Sequence, residues 1–153
     1  MFHQLKDQAN YDERQMMERG RAFKYGYLTI LGFLLLLFAI DSLSDSLSVS
    51  AYTMFNIPFW LSVTVLHYHT ARHGAFDGLT KGNATPLLAT MMFGAGVFIV
   101  AFDIHKLVSG RASFIQSGLV TDLTGSVVAG VCMVVIGITH WLCRRANRKA
   151  ADE

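Results

Sequence analysis

The residues of this chain best suited to chemistry are histidines. His67, His69 and His73 form the pattern His-x-His-x3-His, and His140 lies near the end of the last apolar segment. His69 and His73 are four residues apart, so they share one face if a helix extends that far. Imidazole nitrogens bind zinc, copper and haem iron. These four histidines are the predicted metal ligands if the fold brings them to one level.

A purely structural role explains the same histidines. Imidazole has an apolar body and a polar tip, which suits the interface between a membrane and water. His67 and His69 are two residues apart and point to different sides of a helix. The chain has no His-Glu-x-x-His motif, and neither Cys132 nor Cys143 lies near the trio. The sequence therefore predicts no cofactor, with zinc, copper or haem as the alternative.

Three acidic residues lie at the ends of the apolar segments. Asp41, Asp103 and Asp122 fall at predicted outer helix ends, and Lys106 or Arg111 could pair with them. The central thirds of the apolar segments contain no Asp, Glu, Lys, Arg or His. A proton- or cation-coupled transporter usually places an acid at mid-depth, where desolvation makes protonation useful. The pattern argues against coupled transport.

Four long stretches without formal charge must position these side chains. They contain 16 to 26 residues and lie at 25–40, 46–71, 82–102 and 123–143. A helix that crosses the hydrocarbon core of a bilayer needs about 20 residues. The predicted fold is all-α, a polytopic membrane protein with four transmembrane helices in two hairpins. The predicted spans are about 22–40, 52–68, 86–106 and 121–142.

The remaining residues divide into two cytosolic pieces. Residues 1–21 form an N-terminal segment with a short cytosolic or interfacial helix, and residues 144–153 form a basic tail. Residues 22–143 are the transmembrane domain. Within it, Gly94-Ala95-Gly96 in span three and the pairs Gly125/Ala129 and Ser126/Gly130 in span four predict close contact between these two spans.

The distribution of basic residues predicts the orientation. With four spans, both termini lie on one side, and that side holds 11 of the 13 Lys and Arg residues. The positive-inside rule then places both termini in the cytoplasm of a multi-pass protein of the cell membrane. The basic tail is predicted to contact anionic membrane lipid, and nucleic acid is not a predicted partner.

Charged residues near the N-terminus predict a contact surface. Arg14 and Glu18 are four residues apart, and Glu18 and Arg21 are three apart, so the pairs can brace a helix. On the cytosolic side these three residues are the predicted partner-binding site. The partner is a membrane or cytosolic protein, or another copy of this chain in a homo-oligomer.

The same region carries a resemblance. Asp12-Glu13-Arg14-Gln15, followed by Arg19-Gly20-Arg21-Ala22-Phe23-Lys24-Tyr25-Gly26-Tyr27, resembles the N-terminal signature "DERQ…RGKAFKYGF" of small bacterial integral membrane proteins of unknown function. Arg21 stands where Lys is common. The resemblance covers about 16 residues, 12–27, and implies a bacterial cytoplasmic-membrane protein with several hydrophobic helices. It implies no activity, ligand or site.

The predicted function is a non-catalytic interaction, accessory or regulatory component of the membrane. No enzyme is predicted, because no nucleophile elbow, Walker loop or dinucleotide fingerprint is present. One alternative is a transporter or channel for small solutes or ions that acts as a homo-oligomer, with a polar path from Asn56, Ser62 and Thr64. The other is a metal- or haem-binding membrane protein that uses the histidines.

Overall fold

The computed structural model describes residues 13–44, 46–75 and 84–152, and these residues are mainly helical. The first 12 residues of the predicted N-terminal segment lie outside them, as do residues 76–83, between the predicted second and third spans. The helices are α1 (Glu13–Leu43), α2 (Ala51–Arg72), α3 (Ala84–Val108) and α4 (Asp122–Asp152). The strands are β1 (Ser48–Val49), β2 (Ile115–Gln116) and β3 (Leu119–Val120).

Helix α1 joins two elements that were predicted to be separate. The predicted cytosolic helix and the first span form one uninterrupted helix of 31 residues. Gly20 costs helical stability, but it does not break the helix, and the Glu18–Arg21 ion pair spans it at 2.7 Å. At 1.5 Å per residue, α1 is about 46 Å long, more than the roughly 30 Å of a bilayer core.

Three of the described helices are long and apolar enough to cross a membrane. They are α1, α3 from Leu87 onward, and α4 up to Cys143. Helix α2, the predicted second span, is not among them, because polar side chains such as Asn56 and Ser62 interrupt its apolar sequence. Helix α4 continues past the predicted end of the last span, so the predicted basic tail begins as helix.

The helices pack in the order α1, α2, α4, α3. Helix α2 contacts α1 on one side and α4 on the other, and α3 packs on α4. Along α2, Thr53 lies near Thr121 and His67 lies near His140, so α2 and α4 run in the same direction. The central position of α2 explains its composition, because its polar groups can bond to neighbouring helices instead of facing lipid.

Small residues allow the helices to approach closely. A Cβ atom on Gly96 would lie 2.6 Å from the carbonyl oxygen of Gly130, and one on Gly137 would lie 2.6 Å from the Cβ of Phe93. A Cβ on Gly94, by contrast, would meet nothing within 4 Å. The predicted close contact of the last two long helices is confirmed, and Gly96, Gly130 and Gly137 all lie in it. Gly125, which was predicted to take part, lies against Thr53 of α2 instead.

Burial in this fold is reversed relative to a soluble protein. Small and polar residues such as Ala22, Thr53 and Ala129 are almost fully buried. Large apolar side chains such as Phe98 and Leu35 are more than half exposed, at 70% and 61%. An exposed apolar surface over a small-residue interior is the pattern that a lipid environment favours.

A small sheet closes one end of the bundle, called the sheet end below. Strand β1 pairs in parallel with β3, and β2 pairs antiparallel with β3. Asp41 Oδ1 accepts a hydrogen bond from the backbone N–H of Val49 at 2.8 Å. The sheet joins the loop after α1 to the loop before α4. No strand was predicted there.

Candidate metal centre

The opposite end of the bundle carries the histidines and is called the histidine end below. Helix α2 extends to Arg72, and His73 forms its C-cap. The rings of His69 and His73 lie with their centroids 4.6 Å apart. These two histidines were predicted to share a helix face, and this is confirmed.

Helix α1 brings a carboxylate to these two imidazoles. Glu18 Oε2 lies 3.8 Å from His69 Nε2 and 3.9 Å from His73 Nδ1. Its other oxygen, Oε1, accepts a hydrogen bond from Arg21 Nη1 at 2.7 Å. Arg21 therefore fixes one carboxylate oxygen and leaves the other facing α2.

These three side chains, Glu18, His69 and His73, make a candidate metal-ligand set, called the histidine–glutamate cluster below. One ligand atom from each of them lies within 4.8 Å of the other two. Two imidazoles with one carboxylate are ligands of open zinc sites and of non-haem iron sites. Ligands of one tetrahedral zinc ion lie about 3.3 Å apart, so each Glu–His separation would have to shorten by about 0.5 Å. A separation at the 4.8 Å limit of the set would have to shorten by about 1.5 Å.

Further contacts hold α1 against the end of α2. The rings of Tyr25 and His69 lie 5.2 Å apart, and Gln15 Nε2 donates to the carbonyl oxygen of Gly74 at 3.4 Å. His69 Nδ1 is buried and has no hydrogen-bond partner among the described residues. A metal-bound histidine usually donates its second N–H to a partner. The cluster departs from that pattern at His69.

The other two predicted ligands form a separate pair. The ring centroids of His67 and His140 lie 5.9 Å apart, and His67 is buried. His67 faces α4, whereas His69 faces α1, because residues two apart on a helix point to different sides. The structure thus divides the four predicted histidines between the two sides of α2 and adds Glu18 to one of the pairs.

The predicted partner-binding residues also divide. Arg14 is exposed, and the Arg21 side chain is 62% exposed. Glu18 is buried, since it faces the histidines. Glu18 is therefore an internal ligand candidate, whereas Arg14 and Arg21 keep surface that a partner can reach.

A cavity lies between α3 and α4 at the histidine end. Its volume is about 330 Å³, and its lining is mainly apolar. His140 lines the cavity, and its ring lies beside the ring of His67. The lining residues include Thr90, Phe93, Gly137, Ile138, His140 and Trp141.

The polar side chains of α2 that suggested a transport path are engaged in hydrogen bonds. Ser62 Oγ donates to the carbonyl oxygen of Gly26 at 2.8 Å. Thr64 Oγ1 donates to the carbonyl oxygen of Trp60 at 2.8 Å, and Trp60 Nε1 donates to Asn56 Oδ1 at 3.0 Å. The Ser62 bond joins α2 to α1, whereas the bonds of Asn56 and Thr64 lie within α2.

The fold and the cluster define a class. The described residues form a helical protein with three helices suited to a membrane and a group of two histidines and one glutamate at one end. Comparison with protein families, curated proteins and solved structures finds no match to this chain. The resemblance of its N-terminal segment to small bacterial membrane proteins stays a prediction.

Proposed function

We propose that this protein is a non-catalytic accessory or regulatory membrane protein that binds one divalent transition-metal ion, best matched by zinc, at the histidine–glutamate cluster. The observation that carries the proposal is the mutual approach of Glu18, His69 and His73 from two different helices. Two neutral imidazoles and one carboxylate supply one negative charge to the ion. His73, with its side chain 35% exposed, lies on the side from which an ion can enter.

The proposed fold in the membrane has four spans in two hairpins, with both termini cytoplasmic. Helices α1 and α3 run in the same direction, because α2 lies antiparallel to α1, α4 runs parallel to α2, and α3 lies antiparallel to α4. If α1 and α3 both cross the bilayer, α2 must return between them. The split of 11 to 2 in basic residues favours the histidine end at the cytoplasmic face.

The regulatory role follows from the elements that the ligands join. Glu18 lies near the start of α1, and His69 and His73 lie at the end of α2. A bound ion would fix the first turns of α1 against α2. The exposed Arg14 lies on those turns, so occupancy of the cluster would control how this surface is presented to a partner.

Zinc titration of the chelator-treated protein in mild detergent tests the proposal. We expect one zinc ion per chain by calorimetry and elemental analysis, and a loss of affinity of more than about 100-fold in Glu18→Gln or His69→Ala. The matched controls are His67→Gln and His140→Gln, which alter histidines outside the cluster and should keep binding. Absence of stoichiometric zinc in the wild-type protein, or equal losses in the control variants, would overturn the proposal.

A further inference from the structure

The cavity between α3 and α4 has features that neither the metal nor the helix packing explains. Its volume of about 330 Å³ lies at the lower end of the range for small-molecule sites. Phe93, Ile138 and Trp141 give it apolar walls, and Thr90 and His140 add polar groups. In the proposed orientation it lies at the level of the cytoplasmic leaflet. This placement rests on the proposed topology but not on the proposed metal.

A cation lies beside one of the aromatic residues that line the cavity. Trp141 is 61% exposed, and the guanidinium of Arg145 lies 5.6 Å from its ring centroid. Arg145 is exposed and follows the last apolar turn of α4. Tryptophan and arginine at this depth are typical of residues that meet lipid headgroups. An apolar pocket beside an exposed cation fits an amphipathic anion.

We propose that this cavity is a binding site for an anionic phospholipid of the cytoplasmic leaflet. One acyl chain enters between Phe93 and Ile138, and Arg145 binds the headgroup phosphate. Guanidinium matches phosphate geometry through paired N–H donors. Trp141 lines the cavity and also contacts Arg145, so one lipid can reach the acyl site and the phosphate site together.

Native mass spectrometry of delipidated protein with added phosphatidylglycerol or phosphatidylcholine tests the site. We expect one tightly bound phosphatidylglycerol and a preference over phosphatidylcholine that falls about tenfold in Arg145→Gln. Ile138→Trp should abolish binding of both lipids, because the larger ring fills the cavity. Ile138 is 44% exposed, so part of its side chain lies outside the α3–α4 contact.

Lys24→Gln is the matched control, since it removes an exposed positive charge from α1 near the same end of the bundle. An equal fall in the lipid preference in this variant would overturn the proposal in favour of general charge attraction. Competition by glycerol phosphate would overturn it in favour of a free-phosphate site, and binding of an apolar dye without any headgroup preference would overturn it in favour of a small-molecule site. Zinc binding should be unchanged in Arg145→Gln, which separates this test from that of the metal.

Discussion

At the scale of single residues, Thr53 joins two helices through a fully buried hydroxyl group. Its exposed fraction is 0%, and its Oγ1 donates to the carbonyl oxygen of Thr121 at 2.8 Å. Its own N–H bonds to the side chain of Ser50, which caps α2. The side chain therefore links the first turn of α2 to the residue that precedes α4.

We expect Thr53→Val to lower the free energy of unfolding by about 1 kcal/mol, because the change keeps the shape of the side chain and removes the donor. Denaturation by SDS in mixed micelles measures this loss. Thr29→Val is the control, since Thr29 Oγ1 bonds only within its own helix, to Tyr25. A similar loss of stability in both variants would show that the bond to Thr121 contributes no more to the free energy of unfolding than a bond within one helix.

Part of the candidate site could be predicted from single residues. The spacing of His69 and His73 was sufficient to predict their shared face. Glu18 was not predicted as a ligand, because no pattern in the sequence says which face of α1 meets α2. For Asp103, the option of a pair with Lys106 was predicted and is found at 3.3 Å, but its burial, with 2% exposed, was not predicted.

At the scale of elements, Gly96 lies in the contact between α3 and α4, whereas its neighbour Gly94 does not. We expect Gly96→Ala to destabilise the protein by roughly 1–3 kcal/mol, because the new Cβ would meet backbone atoms of Gly130 and Val134. Gly94→Ala adds the same methyl group where nothing lies within 4 Å, and it should be neutral or slightly stabilising. Unfolding in detergent compares the two, and equal stabilities would contradict the assigned contact.

The helices could be predicted from the sequence better than their ends. Uncharged stretches of bilayer length indicate helices well, since length and hydropathy are local properties. A helix before the first span was predicted, but its fusion with that span into one helix was not. The continuation of α4 beyond residue 142 was also not predicted, because charged residues are compatible with a helix as well as with an irregular tail. The strands have two residues each and are defined by pairing between distant loops, so no local sequence pattern predicts them.

At the scale of the whole molecule, the proposed topology assigns the two ends of the bundle to opposite sides of the membrane. We expect Gln116→Cys, at the exposed sheet end, to react with a membrane-impermeant maleimide in intact cells. Arg14→Cys, at the exposed histidine end, should react only after lysis. Both variants are made after Cys132 and Cys143 are replaced by alanine. Labelling of both positions in intact cells would refute the topology.

The position of α2 between α1 and α4 has a consequence for biogenesis. Its Ser62 hydroxyl group and His67 ring find their partners only after the neighbouring helices are present. If α2 crosses the membrane as proposed, the translocon is expected to release α2 together with α1 as a pair, and α4 must arrive to cover the remaining face. A nascent chain truncated before α4 would display that polar face to lipid. Such a chain is a natural substrate for membrane quality-control proteases.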